Sequence, residues 1–314
     1  MSETGQFAVV ADTALTRVVV PTGMSGEMQI DETSRARRYF RHAVENHWDP
    51  HDVDLSADVE PLTDADEEVF DQLRLFLARF GAGEQAVTED LSPLAVVADD
   101  PADSMFVASQ LYEEAKHLDF FDRYWREVIH PAEDERGVER SYPTDDRWFN
   151  DDYLELFDRN EAAMHRLLDD DNPENRVRAF CHYHLTIEGI LAQTGYYIMS
   201  VCFDDSEYDA MPTLPGLVAG VTRIRGDEGR HVGFGMAKLK ELLEAGADPQ
   251  VIHDTVNDLM PMVHGIVTSV TGDFGPDPAE FVEYATGKHL QRMRQITNAT
   301  AEIPSVERLV TLDD

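Results

Sequence analysis

The chain has 314 residues, of which 42% are hydrophobic, so at roughly 150 residues per domain it allows one large or two small domains with a sizeable core. Its 26 Lys and Arg stand against 62 Asp and Glu, a formal charge of −36, which argues against a role on phosphate backbones or anionic lipid surfaces. Lys116, Lys238, Lys240 and Lys288 are the only lysines; an acid-rich, lysine-poor surface is what a salt-saturated cytoplasm tolerates, because screening removes most of the self-repulsion, and the composition reads as halophilic.

In chain order, residues 1–30 read as peripheral, and helices follow from about residue 30 to residue 300 with no alternating strand pattern. The first twenty residues carry Glu3, Asp12 and Arg17 without a basic start and apolar run, so no signal peptide is expected. In 64–80, Val69, Phe70, Leu73, Phe76, Leu77 and Phe80 fall at helical spacing, with Thr63 and Asp66 placed for a capping box. Segments 102–130 and 148–169 follow, and 131–147 is the longest break. Asn172-Pro173 opens an apolar helix in which Phe180–Phe203 holds one formally charged side chain, Glu188, in 24 residues. Glu, His, Gln and Thr inside it suit a helix buried on all sides better than a membrane span. Segments 214–245 and 249–270 come next, and Asp277-Pro278 opens the last long helix before a peripheral tail, 303–314. Cys181 and Cys202 are too few for a disulfide framework and fit a reducing, cytoplasmic interior. The expected fold is one all-α domain over 1–314, a helical bundle.

Two helical segments repeat a short pattern. EEAKH places Glu114 three residues before His117, and DEGRH places Glu228 three before His231. Residues i and i+3 lie roughly 60° apart on one helix face, so a carboxylate oxygen and an imidazole nitrogen reach the same ion. One such pair in a chain this rich in Glu reads as a solvated surface pair. Two on separate helices fit a dinuclear metal site, completed by one Glu from each of two other helices. Glu188 is one candidate, because a buried carboxylate must be protonated, paired or bound to a cation; a paired structural role stays open. Glu84 is the other. If the helix of 64–80 continues, Glu84 lies within about 40° of Phe70, Leu73, Leu77 and Phe80; with Gly81 and Gly83 intervening, it reads equally as a surface residue past a helix end. Four Glu and two His suit iron and manganese rather than zinc.

WDPHDVD (Trp48–Asp54), GEQAVTED (Gly83–Asp90), EEAKH, YHLTIEGILAQTGYY (Tyr183–Tyr197) and RIRGDEGRH (Arg223–His231) occur in that order. Together they resemble the small-subunit superfamily of ribonucleotide reductase over about residues 40–300, and within it the ligand-binding oxidases that carry a manganese–iron centre. The resemblance implies a ferritin-like bundle with a dinuclear site in its core. Glu84, Glu114 and His117 would hold manganese, and Glu188, Glu228 and His231 iron, with Glu114 bridging; a di-iron pair is the alternative. Asp227 matches an aspartate that holds a ligand histidine in its tautomer. Trp48 matches a tryptophan of the reductase electron-transfer route, or serves as a packing anchor.

Val87 and Tyr183 match a valine and tyrosine that the oxidases join by an ether bond between the valine β-carbon and the tyrosine oxygen. Taken alone, they read as a core residue and a buried phenol. Val87 shares a face with Glu84, but Tyr183 and Glu188 stand about 140° apart in an ideal helix, so a π-bulge is expected between them. His182, His184, His253, His264 and His289 receive no role.

Three functions follow. The first is an oxidase that activates O2 beside a long-chain fatty acid or similar lipid ligand and oxidises a hydrophobic substrate, as a homodimer without nucleic-acid or membrane partners. The second is the radical-generating small subunit of ribonucleoside-diphosphate reductase. Phe121 occupies the usual radical-tyrosine position of such subunits, and no Tyr follows Tyr284 in a chain ending RLVTLDD. The third is a non-enzymatic metal or lipid carrier.

Overall fold

An Asp or Asn followed by Pro can accept hydrogen bonds from the first-turn N–H groups while the proline loses none. The computed structural model describes residues 30–204, 211–270, 277–298 and 301–309; the N-terminal stretch up to residue 29 and the last five residues lie outside them. Its long helices are α1 (Arg35–Glu45), α2 (Glu67–Asp90), α3 (Pro101–Tyr124), α4 (Asp151–Asp169), α5 (Pro173–Phe180, Cys181–Ala192 and Gln193–Phe203, end to end), α6 (Pro215–Glu244), α7 (Pro249–Thr268) and α8 (Pro278–Thr297). Asp100, Asn172, Asp248 and Asp277 each cap the helix whose first residue is the following proline.

Ser34 and Asn150 cap α1 and α4 locally too, accepting from Arg37 N and Tyr153 N at 3.1 Å; the starts of α2 and α6 are less local. Thr63 belongs to a short helix, Val59–Asp64, and gives its hydroxyl to Val59 O at 2.8 Å. Asp66 precedes α2 without a side-chain cap, so the expected capping box does not form. For α6 the cap comes from far away: buried Asp58 accepts from Gly216 N at 2.8 Å and Leu217 N at 2.7 Å, and from Tyr124 Oη at 3.0 Å.

Two boundaries differ from the sequence reading. α2 runs through Gly81 and Gly83 to Asp90, its glycines seated against Phe121 and against Phe157 and Tyr153; tertiary packing outweighs their poor helix propensity. α3 continues through a π turn, Trp125–Ile129, into His130–Arg136, so the break begins at left-handed Gly137 (φ 69°) rather than at residue 131.

Cys181–Ala192 of α5 is π-wound, more extensive than the bulge expected between Tyr183 and Glu188. This stretch is almost wholly buried, packed against α6, α7 and α8, and no helix among the described residues is long and apolar enough to cross a membrane. α6 also packs on α1 and α3, while α3 packs on α1 and α2. In the tail, Val306–Leu309 lies against α6 with Val306 and Leu309 buried. The four helices α2, α3, α5 and α6 thus turn their interior faces toward one another.

α5 and α6 approach closely at Gly235, where an added Cβ would stand 2.2 Å from the His184 Cβ. That atom is tied to the α5 backbone and cannot swing aside. Gly235→Ala should therefore lower stability by about 1–3 kcal/mol, the usual cost of overpacking, read as a lower midpoint in guanidinium unfolding.

Candidate metal centre

Because α2, α3, α5 and α6 face inward together, charged groups from all four meet in the core. Glu84 comes from α2, Glu114 and His117 from α3, Glu188 from the π-wound part of α5, and Glu228 and His231 from α6; all six are buried. They form two buried groups, Glu84–Glu114–His117–Glu228 and Glu114–Glu188–Glu228–His231, whose donor atoms lie within 4.8 Å of one another in each group. Glu114 and Glu228 belong to both. Glu228 thus reaches the first site as well as the second, which its pairing with His231 in the sequence did not suggest.

His117 Nδ1 lies 3.6 Å from Glu84 Oε2 and 3.4 Å from Glu114 Oε2 and Glu228 Oε1, yet it makes no hydrogen bond. His231 Nδ1 lies 3.0 Å from Glu114 Oε1, 3.2 Å from Glu188 Oε1 and 3.3 Å from Glu228 Oε2. Glu188 Oε2 is likewise buried without a partner. Orphaned buried donor atoms are rare in folded proteins. Four carboxylates and two imidazole Nδ1 atoms converging on two points fit a pair of divalent cations with a preference for oxygen ligands.

The other nitrogen of each imidazole is held in place. His117 Nε2 is 3.0 Å from Asp227 Oδ2, and His231 Nε2 is 2.8 Å from Glu113 Oε2. With Nε2–H donated to a carboxylate, Nδ1 keeps its lone pair for a metal. Arg230 bridges the two anchors, binding both Glu113 and Asp227. Trp48 Nε1 donates to Asp227 Oδ2 at 2.8 Å and its ring stacks on His117 at 6.4 Å, so Trp48 is bonded into the site.

A family model for the small chain of ribonucleotide reductase matches residues 30–295. The chain belongs to that family. Among solved structures it is similar to several variants of an R2-like ligand-binding oxidase. One tyrosine-to-phenylalanine variant with aerobically reconstituted Mn/Fe cofactor is 26% identical over 88% of this chain and 99% of that one, with a TM-score of 0.74. A second such variant gives 26%, 88%, 99% and 0.76. A valine-to-leucine variant with anaerobically reconstituted Mn/Fe cofactor gives 27%, 86%, 96% and 0.75.

In this small-chain member, Val87 and Tyr183 line one apolar cavity of about 80 Å³ together with Glu84, Glu114, Glu188 and Glu228. Tyr183 Oη donates to Glu114 Oε1 at 2.7 Å. The π winding permits this: i→i+5 bonding brings residues five apart toward one face, so Tyr183 and Glu188 both reach the cluster. His184, given no role from sequence, lies with Nε2 3.2 Å from Gln110 Oε1, while Gln110 Nε2 donates to Glu188 Oε1 at 3.0 Å. His182, His253, His264 and His289 belong to neither buried group. Phe121 is buried between Phe80 and Phe120.

Glu113, Gln110, Arg230 and Tyr196, which donates to Glu228 Oε1 at 3.1 Å, escaped the sequence reading. Gln110 sits one turn before Glu114, the one local signal among them. Glu113 and Arg230 each lie next to a site residue in sequence and meet only across the α3–α6 interface.

Burial pushes the Glu84 carboxyl up to about 8 and raises Glu188 well above the carboxylate range. Burial also disfavours the charged forms of His117 and His231, but surrounding carboxylates outweigh it and hold both well above the usual imidazole value. Metal ions must displace these protons. Metal uptake should therefore release protons and weaken as pH falls below about 8, where the Glu84 proton must also be displaced; titration of metal into lightly buffered protein with a pH indicator checks both. Glu113→Gln, which removes the carboxylate behind His231, should weaken metal affinity about 10- to 100-fold, read by competition with a chromophoric chelator.

Proposed function

We propose that the chain is an O2-activating oxidase with a manganese–iron pair that acts on a ligand held in the apolar cavity. The observation that carries this reading is the shared cavity of Val87, Tyr183 and the four glutamates, with the Tyr183 hydroxyl on Glu114. Glu84, Glu114 and His117 would hold manganese, and Glu188, Glu228 and His231 iron, with Glu114 bridging; a di-iron pair is the alternative filling. When bound, the metal pair supplies reduction of O2 and the oxidising power to remove hydrogen from an unactivated C–H bond.

The protein's part is positional and electrostatic. Glu114 accepts the Tyr183 hydroxyl and offers that proton a place to go. Asp227 and Glu113 hold the histidine tautomers. Phe76, Phe80, Ile187 and Leu191 wall the cavity and keep water from it. Joining Val87 to Tyr183 removes the Val87 Cβ hydrogen and the phenolic hydrogen as one C–O bond forms. A long-chain fatty acid or similar lipid is the proposed ligand, and a homodimer in a reducing, salt-rich cytoplasm the proposed setting.

A second reading, the radical-generating subunit of ribonucleoside-diphosphate reductase, is favoured by the Trp48–Asp227–His117 chain of hydrogen bonds leading outward from the site. Mass spectrometry after aerobic reconstitution with Mn(II) and Fe(II) separates the two. The oxidase should lose two hydrogens, mapped to joined peptides containing Val87 and Tyr183, and Tyr183→Phe should abolish the link. Only separate peptides after verified metal loading would move the assignment to the reductase subunit, then tested by nucleotide reduction with a catalytic partner. For the salt-rich setting, raising KCl from about 0.1 M to about 2 M shortens the screening length several-fold and should raise the melting temperature; a flat or falling response would oppose it.

A further inference from the structure

Far from the metal cluster in character, one cleft gathers cations on this acidic chain. Arg159 and Arg166 of α4 face Asn175, Arg178 and His182 of α5 across an open space of about 380 Å³, floored by two alanines of α4. No carboxylate lines it, although the chain has 62 acidic residues against 26 Lys and Arg. Helix periodicity makes the grouping. Residues seven apart on α4 (Arg159, Arg166) and on α5 (Asn175, His182, with Arg178 between) return to one face, and the two helices pack together there.

Each guanidinium is only partly used. Arg159 donates through Nε to Glu155 Oε1 at 2.6 Å and through Nη1 to Asp258 Oδ2 at 2.5 Å. Arg178 donates through Nη2 to Glu174 Oε1 at 2.6 Å, and Arg166 through Nη2 to Asp170 Oδ2 at 3.4 Å. All four carboxylates are exposed, and such pairs hold weakly in water. Among the described residues, Nη2 of Arg159 and the Nε and Nη1 atoms of Arg166 and Arg178 have no hydrogen-bond partner. His182 Nδ1 is buried and has none either. Burial, with Arg159 and Arg178 adding to it, pushes the His182 imidazole down to about 4, and Asp258 offsets this only in part. The ring is therefore neutral, still offers one N–H, and feels a positive field in spite of the net charge of −36.

We propose that this cleft is a binding site for a small, soluble phosphate-type dianion, held by Arg159, Arg166 and Arg178 with His182 and Asn175 as neutral donors. Asn175 Nδ2 gives one hydrogen to Asp170 O at 2.8 Å and keeps the other. A tetrahedral oxyanion accepts from several directions at once, as guanidinium forks on two helices supply, whereas one fork suffices for a carboxylate. The acidic remainder of the surface repels anionic membranes, which favours a free ligand over a lipid headgroup. None of the five residues belongs to either buried metal group, so the site stands whichever reading of the metal centre holds.

The test is isothermal titration calorimetry of the full-length, metal-loaded protein with inorganic phosphate and with acetate, in about 0.1 M KCl at about pH 8, where phosphate is doubly charged. Phosphate should bind at least about tenfold more tightly than acetate. Changing Arg166→Gln and Arg178→Gln together should remove most of that preference, whereas Arg140→Gln, at an exposed arginine paired with Asp134 elsewhere, should leave it intact. Equal binding of the two anions, or a phosphate preference that survives the double change or falls as far in Arg140→Gln, would overturn the proposal. Cosedimentation with phosphatidic acid vesicles that depends on Arg166 and Arg178 would overturn the soluble ligand in favour of a lipid headgroup. The phosphate–acetate comparison needs no variant, so a folding defect in the double variant does not spoil it.

Discussion

Six buried ionisable side chains share one core, and their mutual repulsion is the constraint around which the bundle is organised. Four carboxylates within a few ångströms cannot all be charged without compensating cations. Protons supply part of the compensation, on Glu84, Glu188 and the two imidazoles, and metal ions can supply all of it. The cage is rigid because each imidazole is fixed from behind by a carboxylate, and both of those carboxylates are fixed by Arg230. One guanidinium therefore couples two histidines that face different metal positions, so a disturbance on either side of the α3–α6 interface is felt by both.

Much of this was legible in sequence, and the reasons differ residue by residue. The i, i+3 spacing of Glu114 with His117 and of Glu228 with His231 is set by helix geometry and needs no tertiary knowledge. Glu188 stood out because an apolar helix tolerates a lone carboxylate only with compensation. The Asn172-Pro173 and Asp277-Pro278 pairs gave two helix starts to the residue. Glu84 was undecided because propensity at Gly81 and Gly83 opposed helix continuation, and only contact with Phe121, Phe157 and Tyr153 resolves it.

What stayed hidden depends on meetings between distant segments. Asp58 caps a helix more than 150 residues away, and Glu113 finds Arg230 on another helix. Neither pairing leaves a periodic trace. Arg79, buried on α2, was invisible for a related reason: an arginine on an amphipathic helix normally reaches solvent, and its burial becomes apparent only once α7 and Trp148 close over it.

The π-wound stretch of α5 carries a further consequence. Such a segment is equivalent to an α-helix into which one residue has been inserted without lengthening the turn count, so the register of everything after it depends on chain length rather than on side-chain identity. Were ordinary α winding to return with the five-residue spacing kept, Tyr183 and Glu188 would stand about 140° apart about the axis. The carboxylate and the phenol could then no longer look into the same chamber. The pairing of a cluster-facing acid with a phenol is thus written in the winding of the backbone, and a relative that wound this stretch as an ordinary α-helix at the same spacing would keep the bundle while losing the chemistry.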